Sequence, residues 1–456
     1  MKLEIGIVVL ALALAGCGGP KGGGRPTATV EYAPTGEGKL SGSLNVLAFK
    51  GGYGIDFYQE AGSEFQAKNP GLIVKVDGSP DVADQVRTAM LAGDPPDLMF
   101  PSWKYDFWMA VEEGQILDLD KALDSPAYGG MGTWRDTFEP SLLKLAQENG
   151  KQYMLPYYFS IFGWWYDPGV FAKHGWKPPK TYAELEALCE QIKAAGIAPI
   201  TFQGKYPSYM LQGMLFPWVQ DLGGIQALDD IQNLVPGAWK KPAVVEAARM
   251  IKELEDRGDF QKGAVGLSHT EAQTEFLNGH AAMIPCGTWL DSEMKKVMPP
   301  GARMQFFTAP LPAKMIGDPT ALDIEIEPWM VPVGAKNAAA AVAFYKYMTS
   351  LPEARRFVQE KATLMSIKGS NDVELPETLT VAAKCFRASK TVYSLMAFQW
   401  YQAMGTDIGG ALTSMLNGEL TPEQFCDRAE SIAAQTRDDS SIEKFKVPSA
   451  AAGKQG

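Results

Sequence analysis

The sequence predicts an α/β fold divided between two domains. The chain has 456 residues, whereas a single hydrophobic core stops growing near ~250–300 residues. Hydrophobic residues make up 46% of the chain and charged residues 21%, a balance typical of globular proteins. Strand-like and helix-like patterns alternate after residue 43 and again after residue 155. This alternation predicts right-handed βαβ units with parallel strands.

Charge and histidine content exclude several kinds of partner. The chain has 42 Lys and Arg against 53 Asp and Glu, a net charge of −11, so nucleic-acid binding is not expected. The three histidines, His174, His269 and His280, have no partner at metal-ligand spacing. We therefore expect neither a metal site nor a cofactor.

The N-terminal sequence is typical of an exported lipoprotein. Residues 5–15 form an apolar run that is too short to cross a bilayer but suits a signal peptide. The run ends in Leu-Ala-Gly-Cys, the pattern of a lipobox, which predicts a signal peptide over residues 1–16 and lipidation of Cys17. An ordinary signal peptide with an incidental cysteine is the alternative. Residues 17–43 are rich in Gly and Pro and predict a flexible tether, and residues 447–456 predict a disordered tail. The body of the protein is therefore expected outside the cytoplasm, anchored to the cell membrane.

The body begins with three predicted strands and two predicted helices. The strands cover 44–49, 72–76 and 97–100. Helices are predicted over 56–68 and 81–91, because apolar residues recur there at helical spacing. Strands separated by helices of this length predict a parallel sheet.

A second α/β segment starts near residue 155. Its predicted strands cover 162–166, 281–285, 303–309 and 324–333. Thr181 and Ser268 each precede a Glu by three residues, a capping-box pattern that predicts helices ending near residues 195 and 279. The final ~75 residues are mostly helical by period, with a clear helix start at Thr421-Pro422.

Four cysteines lie beyond Cys17, and export would allow them to form disulfides. Four cysteines allow three pairings, of which Cys385 with Cys426 is favoured because both lie in the C-terminal helical region. The alternative is four buried thiols. Cys189 favours that alternative, since it lies on the apolar face of its predicted helix.

The usual catalytic patterns are missing from the sequence. It contains no phosphate-binding P-loop, no G-x-S-x-G, no H-E-x-x-H and no C-x-x-C. Asp323, Glu325 and Glu327 alternate along a predicted strand, so their side chains share a face. Two such carboxylates could act as the acid and base of a glycosidase, or they could accept hydrogen bonds from sugar hydroxyls. We expect a binding protein rather than an enzyme.

The most informative segment for function is residues 276–289. A helix ends at a glycine, a buried strand follows, and a loop of Gly287, Thr288 and Trp289 leads into the next helix. Gly287 allows a close approach of the backbone to a ligand. An indole beside polar acceptors suits a sugar, which has apolar C–H faces and a rim of hydroxyls.

This segment resembles the family 1 extracellular solute-binding proteins of ABC importers, the group that contains the maltose-binding protein. The resemblance extends over the chain after the tether. It also rests on Gly-Asp-Pro-Pro-Asp at 93–97, on Leu-Pro-Tyr at 155–157, and on late helix motifs at 350–353 and 418–423. A closer resemblance, to the N-acetylglucosamine/diacetylchitobiose-binding branch, rests on residues 49–54 and 436–444.

The resemblance implies a type II periplasmic-binding-protein fold with two discontinuous lobes, hinge strands and a cleft between the lobes. Lobe 1 would take residues 44–155 and 309–370, and lobe 2 would take residues 156–308 and 371–446. The implied function is a monomeric, membrane-tethered receptor that delivers a sugar to the permease subunits of an ABC transporter. A receptor of the same fold for a peptide, a polyamine or an anion is one alternative, and an exported carbohydrate-active enzyme using Glu325 or Glu327 is the other.

The predicted ligand-binding residues lie in loops that follow strands, at the lobe crossing, and on a C-terminal helix. Trp164 and Trp165 are adjacent in a strand and face opposite ways, and we expect Trp164 at the cleft. The full predicted set is Lys50, Tyr53, Ser102, Trp103, Tyr158, Ser160, Trp164, Gly287, Thr288, Trp289, Glu327 and Trp400.

Overall fold

The computed structural model describes residues 40–102, 104–130 and 132–447. The predicted signal peptide, the lipidation site Cys17, most of the tether, Trp103 and residues 448–456 lie outside these ranges. Within them, no helix is both long and apolar enough to cross a membrane.

The described residues form twelve strands, ten of which belong to one mixed sheet. Its main order is β2-β1-β3-β10-β6-β8-β7, while β11 and β9 pair with β6, and β12 pairs with β10. A separate hairpin consists of β4 and β5. The strands are β1 Ser41–Phe49, β2 Gly71–Ser79, β3 Leu98–Phe100, β4 Gln147–Glu148, β5 Lys151–Gln152, β6 Met154–Tyr166, β7 Ala198–Ile200, β8 Ala281–Gly287, β9 Gln305–Phe307, β10 Leu322–Met330, β11 Leu364–Met365 and β12 Val392–Tyr393.

Helices surround this sheet. They are α1 Asp56–Lys68, α2 Val82–Leu91, α3 Phe107–Glu112, α4 Asp120–Leu123, α5 Pro140–Leu145, α6 Pro168–His174, α7 Tyr182–Ala194, α8 Ser208–Met210, α9 Phe216–Gly223, α10 Ile225–Gln232, α11 Pro242–Asp256, α12 His269–Leu277, α13 Leu290–Met294, α14 Ala338–Met348, α15 Leu351–Lys361, α16 Glu377–Ala388, α17 Met396–Trp400, α18 Gln402–Leu416 and α19 Pro422–Asp438. A π-helical turn, Leu211–Leu215, joins α8 to α9.

Two long strands connect the halves of the sheet. The first part of β6 pairs with β10 and β11, and its second part pairs with β8 and β9. β10 runs antiparallel to β6 and continues to β3 at its far end. Its register against β6 shifts between Glu327 and Pro328. These two strands are the crossing strands that the fold class predicts.

The first α/β segment forms as predicted, with one boundary corrected. α1 has the predicted bounds, and β1 pairs in parallel with β2 and β3. However, β1 begins at Ser41, because Ser41 already pairs with Gly71. Residues 41–43 therefore belong to the sheet and not to the tether.

Helix starts follow the capping patterns closely. The full reciprocal capping box is present at Ser268 and at Thr421. Thr181 accepts a bond from the Glu184 backbone N–H, but the Glu184 carboxylate accepts from Lys180 instead of from Thr181. The strand predicted over 303–309 is shorter than expected and covers only Gln305–Phe307.

The cysteines follow the alternative of unpaired thiols and not the favoured Cys385–Cys426 pairing. Cys189, Cys286, Cys385 and Cys426 are all free thiols. Cys189, Cys286 and Cys426 are buried and pack as small apolar side chains.

One group of buried side chains draws on two distant chain segments. Tyr58 of α1 packs edge-on against Trp329 of β10 at 4.9 Å between ring centroids, and Phe57 packs against Phe357 of α15 at the same distance. The Tyr345 hydroxyl donates to the Leu155 carbonyl at 2.6 Å. Segments near residues 41–158 and 329–367 thus share a core, an arrangement that fits a discontinuous first lobe.

Candidate functional site

One face of the crossing strands collects polar and aromatic side chains. Glu325 lies opposite Ser160, and Glu327 lies opposite Tyr158. Directly opposed residues of an antiparallel pair point to the same side of the sheet. Glu325 and Glu327 each keep part of their surface accessible. We call this side of β6 and β10 the hinge face.

The loop after β1 covers one end of the hinge face. The Tyr53 ring packs edge-on against Tyr158 at 5.1 Å. Burial raises the pKa of the Tyr53 hydroxyl, and neighbouring hydroxyls of Thr363 and Ser160 oppose that rise. The carboxylate of Glu327 adds to it. Tyr53 therefore stays a neutral hydrogen-bonding group beside the carboxylates.

The loop after β8 covers the other end. The Thr288 N–H donates to the Ile161 carbonyl at 3.1 Å, and the Ile161 N–H donates to Thr288 Oγ1 at 3.2 Å. This reciprocal pair fixes the loop to β6. Trp289 follows at once and is only partly buried. Its indole packs edge-on against Phe162 of the hinge face, with ring centroids 4.9 Å apart.

Gly287 is required by the position of the indole. A Cβ atom at this residue would lie 2.0 Å from a ring carbon of Trp289. The indole therefore lies directly over the backbone. The sequence predicted a close approach of a ligand at this glycine, and that contact stays a prediction. Tyr209 contacts the indole from another side at 6.1 Å.

Burial and mutual repulsion perturb the carboxylates of β10. Burial raises the pKa of Glu325 to about 7. Burial, together with the charge of Glu325, raises the pKa of Glu327 and of Asp323 well above their ordinary values. Asp323 is only 3% exposed, and neither of its carboxylate oxygens has a hydrogen-bond partner among the described residues. Glu325 and Glu327, which keep part of their surface accessible, are therefore the carboxyl groups of this face that a ligand could reach.

Contacts between the two halves bring these loops together. A Cβ atom at Gly52 would lie 3.9 Å from the Glu293 Cα atom of α13. Ser292 of α13 donates to the Lys361 carbonyl at 3.1 Å. Within the second half, Glu293 also accepts from Gln273 Nε2 at 2.8 Å, which holds α13 against α12. The hinge face is therefore enclosed by loops from both halves.

The prediction that Trp164 faces the cleft is wrong. Trp164 does share a face with Ser160 and Phe162, but it is 0% exposed and donates its indole N–H to the Gly213 carbonyl at 2.8 Å. The turn containing Gly213 covers it. Trp165 is equally buried and donates to the Cys286 carbonyl. Both indoles belong to the core.

Trp400 also differs from the expected open aromatic plate. It is 6% exposed, stacks on Phe445 at 5.3 Å and packs edge-on against Trp108 at 5.7 Å. Trp108 donates to Gln399 Oε1 at 3.4 Å. The structure therefore assigns Trp400 to packing between α3 and the C-terminal segment.

The remaining predicted residues lie in the expected loops. Lys50 is exposed at the end of β1. Ser102 follows β3, is 4% exposed and has a φ angle of 66°. Such a backbone conformation is uncommon for a residue other than glycine and occurs often at functional sites. Their contact with a ligand stays a prediction.

The sequence did not predict several residues of this region. Phe162 could have been found from its spacing of two from Ser160 on the same strand. Tyr209 and Glu293 come from separate helical segments, and Thr363 precedes β11. No local pattern identifies these three, because only tertiary packing brings them to the hinge face.

The fold and the site together define a class of protein. A sheet with two crossing strands, covered by loops from both halves, encloses a face with an indole and carboxyl groups. That is the architecture of a two-lobe solute-binding protein, in which ligand binds between the lobes.

Comparisons identify the family. The chain belongs to the bacterial extracellular solute-binding protein family, whose model matches residues 51–354. Membership confirms the family resemblance that the sequence motifs indicated. It also places the body of the protein outside the cytoplasm.

Relatives agree with this assignment. The diacetylchitobiose binding protein NgcE of Streptomyces coelicolor is 26% identical over 415 residues, which cover 89% of this chain and 87% of the relative. The multiple sugar-binding protein of Streptococcus mutans is 24% identical, covering 67% of this chain and 71% of the relative. Both are named as binding proteins rather than enzymes.

Solved structures confirm the fold. A chitin oligosaccharide binding protein superposes with a TM-score of 0.68 at 20% identity, covering 87% of this chain and 98% of that protein. The apo form of RafE from Streptococcus pneumoniae gives a TM-score of 0.71 at 20% identity, covering 87% of this chain and 99% of that protein. The type II two-lobe fold is thereby established.

Proposed function

We propose that this protein is a lipid-anchored receptor that binds a short oligosaccharide of the N-acetylglucosamine or diacetylchitobiose type and delivers it to an ABC transporter permease. The observation that carries the proposal is the partly exposed indole of Trp289 above Gly287, at one end of a face that holds Glu325 and Glu327. The name of the Streptomyces coelicolor relative supports the type of sugar.

Different groups of the hinge face would bind the apolar and the polar parts of the sugar. The apolar face of a pyranose ring would stack on Trp289, as sugar C–H groups favour an aromatic plate. Sugar hydroxyls would donate to Glu325 and Glu327, since a carboxylate offers several acceptor positions. The hydroxyls of Tyr53 and Ser160 would complete the polar rim of the site.

Closure of the two lobes around the ligand is part of the proposal. Lobe 1 would comprise residues 41–155 and 309–370, and lobe 2 residues 156–308 and 371–446, with β6 and β10 as the hinge. Cys17 would carry the lipid, residues 17–40 would form the tether, and the receptor would act as a monomer. Lys50, Ser102, Trp103 and Thr288 complete the proposed set of ligand contacts.

A carbohydrate-active enzyme is the alternative that Glu325 and Glu327 raise. Such an enzyme needs one carboxyl as acid and a second as nucleophile or base. The two side chains lie on the same side of one strand, instead of flanking a bound glycosidic bond from opposite sides. We expect chitooligosaccharides incubated with the protein to keep their length, measured by chromatography.

Sugar binding is expected to change the tryptophan fluorescence of the protein. Trp289 would lose its solvent contact when a ring stacks on it, so a saturable signal change should accompany titration with chitobiose-type sugars. The panel should include maltose- and xylose-type oligosaccharides. Silence across the whole panel would contradict the sugar assignment and leave a peptide, polyamine or anion receptor.

A further inference from the structure

We propose that Tyr209 is a positioning residue of this site: its hydroxyl accepts a hydrogen bond from the indole N–H of Trp289 and so fixes the orientation of the aromatic plate. The inference rests on the proposed function, because it concerns how the plate is held ready for a sugar. Tyr209 acts through Trp289 and need not touch the ligand itself.

The segment that carries Tyr209 is fixed against β8. Tyr209 lies in α8, which continues into the π-helical turn Leu211–Leu215, a feature that occurs frequently at functional sites. A Cβ atom at Gly213 of this turn would lie 2.6 Å from Pro285 Cβ of β8. Before α8, Gln203 Nε2 donates to the Pro285 carbonyl at 3.0 Å. The chain is thus held to β8 on both sides of Tyr209.

The Tyr209 ring contacts two aromatic residues of the site. Its centroid lies 6.1 Å from that of Phe162 and 6.1 Å from that of Trp289, with interplanar angles of 70° and 74°. Trp289 and Phe162 also meet edge-on at 4.9 Å, so the three rings form a closed triangle. Tyr209 keeps part of its surface accessible, as Trp289 does, so this triangle lies at the site and not in the core.

The Tyr209 hydroxyl is a neutral acceptor for the indole N–H. Burial raises the pKa of this hydroxyl, and the charges of Glu293 and Glu325 add to the rise. A hydrogen bond from Trp289 opposes the rise in the pKa. The direction of this bond is fixed, because an indole N–H is a donor only, whereas a neutral phenol can accept.

Fixing the plate before binding should strengthen the binding of a sugar. A side chain that is already ordered loses less conformational freedom when a ligand binds. The buried indoles of Trp164 and Trp165 are held by backbone carbonyls that accept from their N–H groups. For the partly exposed Trp289, the hydroxyl of Tyr209 takes the place of such a carbonyl. Its removal should leave the ring contacts but free the indole to rotate.

A double-mutant cycle tests whether Tyr209 acts through the indole N–H. In calorimetric titration with N,N′-diacetylchitobiose, Tyr209→Phe should weaken binding by about fivefold. In the Trp289→Phe background, which has no N–H, the same change should have no further effect. An equal loss in both backgrounds would overturn the proposal, and so would an unchanged affinity in Tyr209→Phe alone.

Tyr182→Phe is the matched control for the loss of a tyrosine hydroxyl. The Tyr182 ring also packs edge-on against a tryptophan, Trp218, at 5.5 Å, and its hydroxyl donates to the Met250 carbonyl at 2.7 Å. This variant should leave the affinity for the sugar unchanged. Circular dichroism should show that each variant keeps the fold, because each change removes a single oxygen atom and keeps the ring.

Nuclear magnetic resonance of the ligand-free protein tests the hydrogen bond without any sugar. With isotope-labelled tryptophan, the indole N–H resonance of Trp289 is identified by its loss in Trp289→Phe. Tyr209→Phe should shift this resonance upfield, as expected when a hydrogen bond is lost, and Tyr182→Phe should not. An unshifted resonance would overturn the positioning role whether or not a sugar binds. A shifted resonance without binding of any sugar would contradict the proposed function and leave the hydrogen bond established.

Discussion

Replacing Trp289 with alanine is expected to weaken oligosaccharide binding by about thirtyfold or more, a loss of about 2 kcal/mol. The indole is the aromatic plate of the proposed site, and alanine removes its whole stacking surface. Trp289 is partly exposed and not part of the buried core, so the variant should fold. Calorimetric titration with the preferred sugar measures the loss.

Control variants separate the loss of the Trp289 stacking surface from a general effect of mutation on the folded protein. Trp289→Phe should recover part of the affinity. Trp176→Phe, at an indole packed against Phe171 and His174, should leave the affinity unchanged.

Gly287→Ala should also weaken sugar binding, but less than Trp289→Ala does, since the added methyl group displaces the ring. Gly266→Ala, where a Cβ meets no atom within 4 Å, is its control. Unchanged affinity in Trp289→Ala would contradict the proposed site.

The ligand-free protein should lose stability as the pH rises from about 4.5 to about 7. Burial raises the pKa of Glu325 to about 7, whereas the unfolded chain releases this proton near pH ~4.3. The folded state therefore holds the proton to a higher pH than the unfolded state does, and raising the pH across this window disfavours folding. Glu327 and Asp323, whose pKa values are also raised, act in the same direction.

Glu325→Gln should reduce this pH-dependent loss of unfolding free energy by roughly 1–2 kcal/mol, because the amide has no proton to release. The figure allows for solvent screening at this partly accessible group. Chemical denaturation at both ends of the pH window measures the unfolding free energy. Groups facing Glu325 and Glu327 from other elements are the hydroxyls of Tyr53, Tyr58, Tyr158 and Tyr209, which stay neutral here because burial raises their pKa values. Glu60→Gln, at an exposed carboxylate of α1, is the control and should leave the pH dependence of stability unchanged. An unchanged pH dependence in Glu325→Gln would show that this carboxyl does not titrate as described.

Much of the fold could be predicted from local sequence. The bounds of α1 and the capping boxes at Ser268 and Thr421 follow from residues within a few positions of each other. The position of the loop Gly287 to Trp289 after a buried strand also followed from local sequence. That the Trp289 ring itself requires the glycine was not predicted.

The remainder depends on packing between distant segments. The alternation along β6 correctly puts Trp164 on the side of Ser160, but it cannot reveal that the turn containing Gly213 covers that position. Trp400 is covered by Phe445 in a similar way. Shared location in a helical region is also no guide to disulfide pairing: Cys385 and Cys426 are both free thiols, because helical residues in one region can point in different directions.

The central claim is that a sugar binds on the hinge face, between Trp289 and the carboxyls of β10. A crystal structure of the protein with its preferred oligosaccharide tests this most directly. We expect a pyranose ring stacked on Trp289, with ligand polar groups at hydrogen-bond distance from Glu325 or Glu327. A sugar bound elsewhere, with Trp289 and both carboxyls free of contact to it, would contradict the claim.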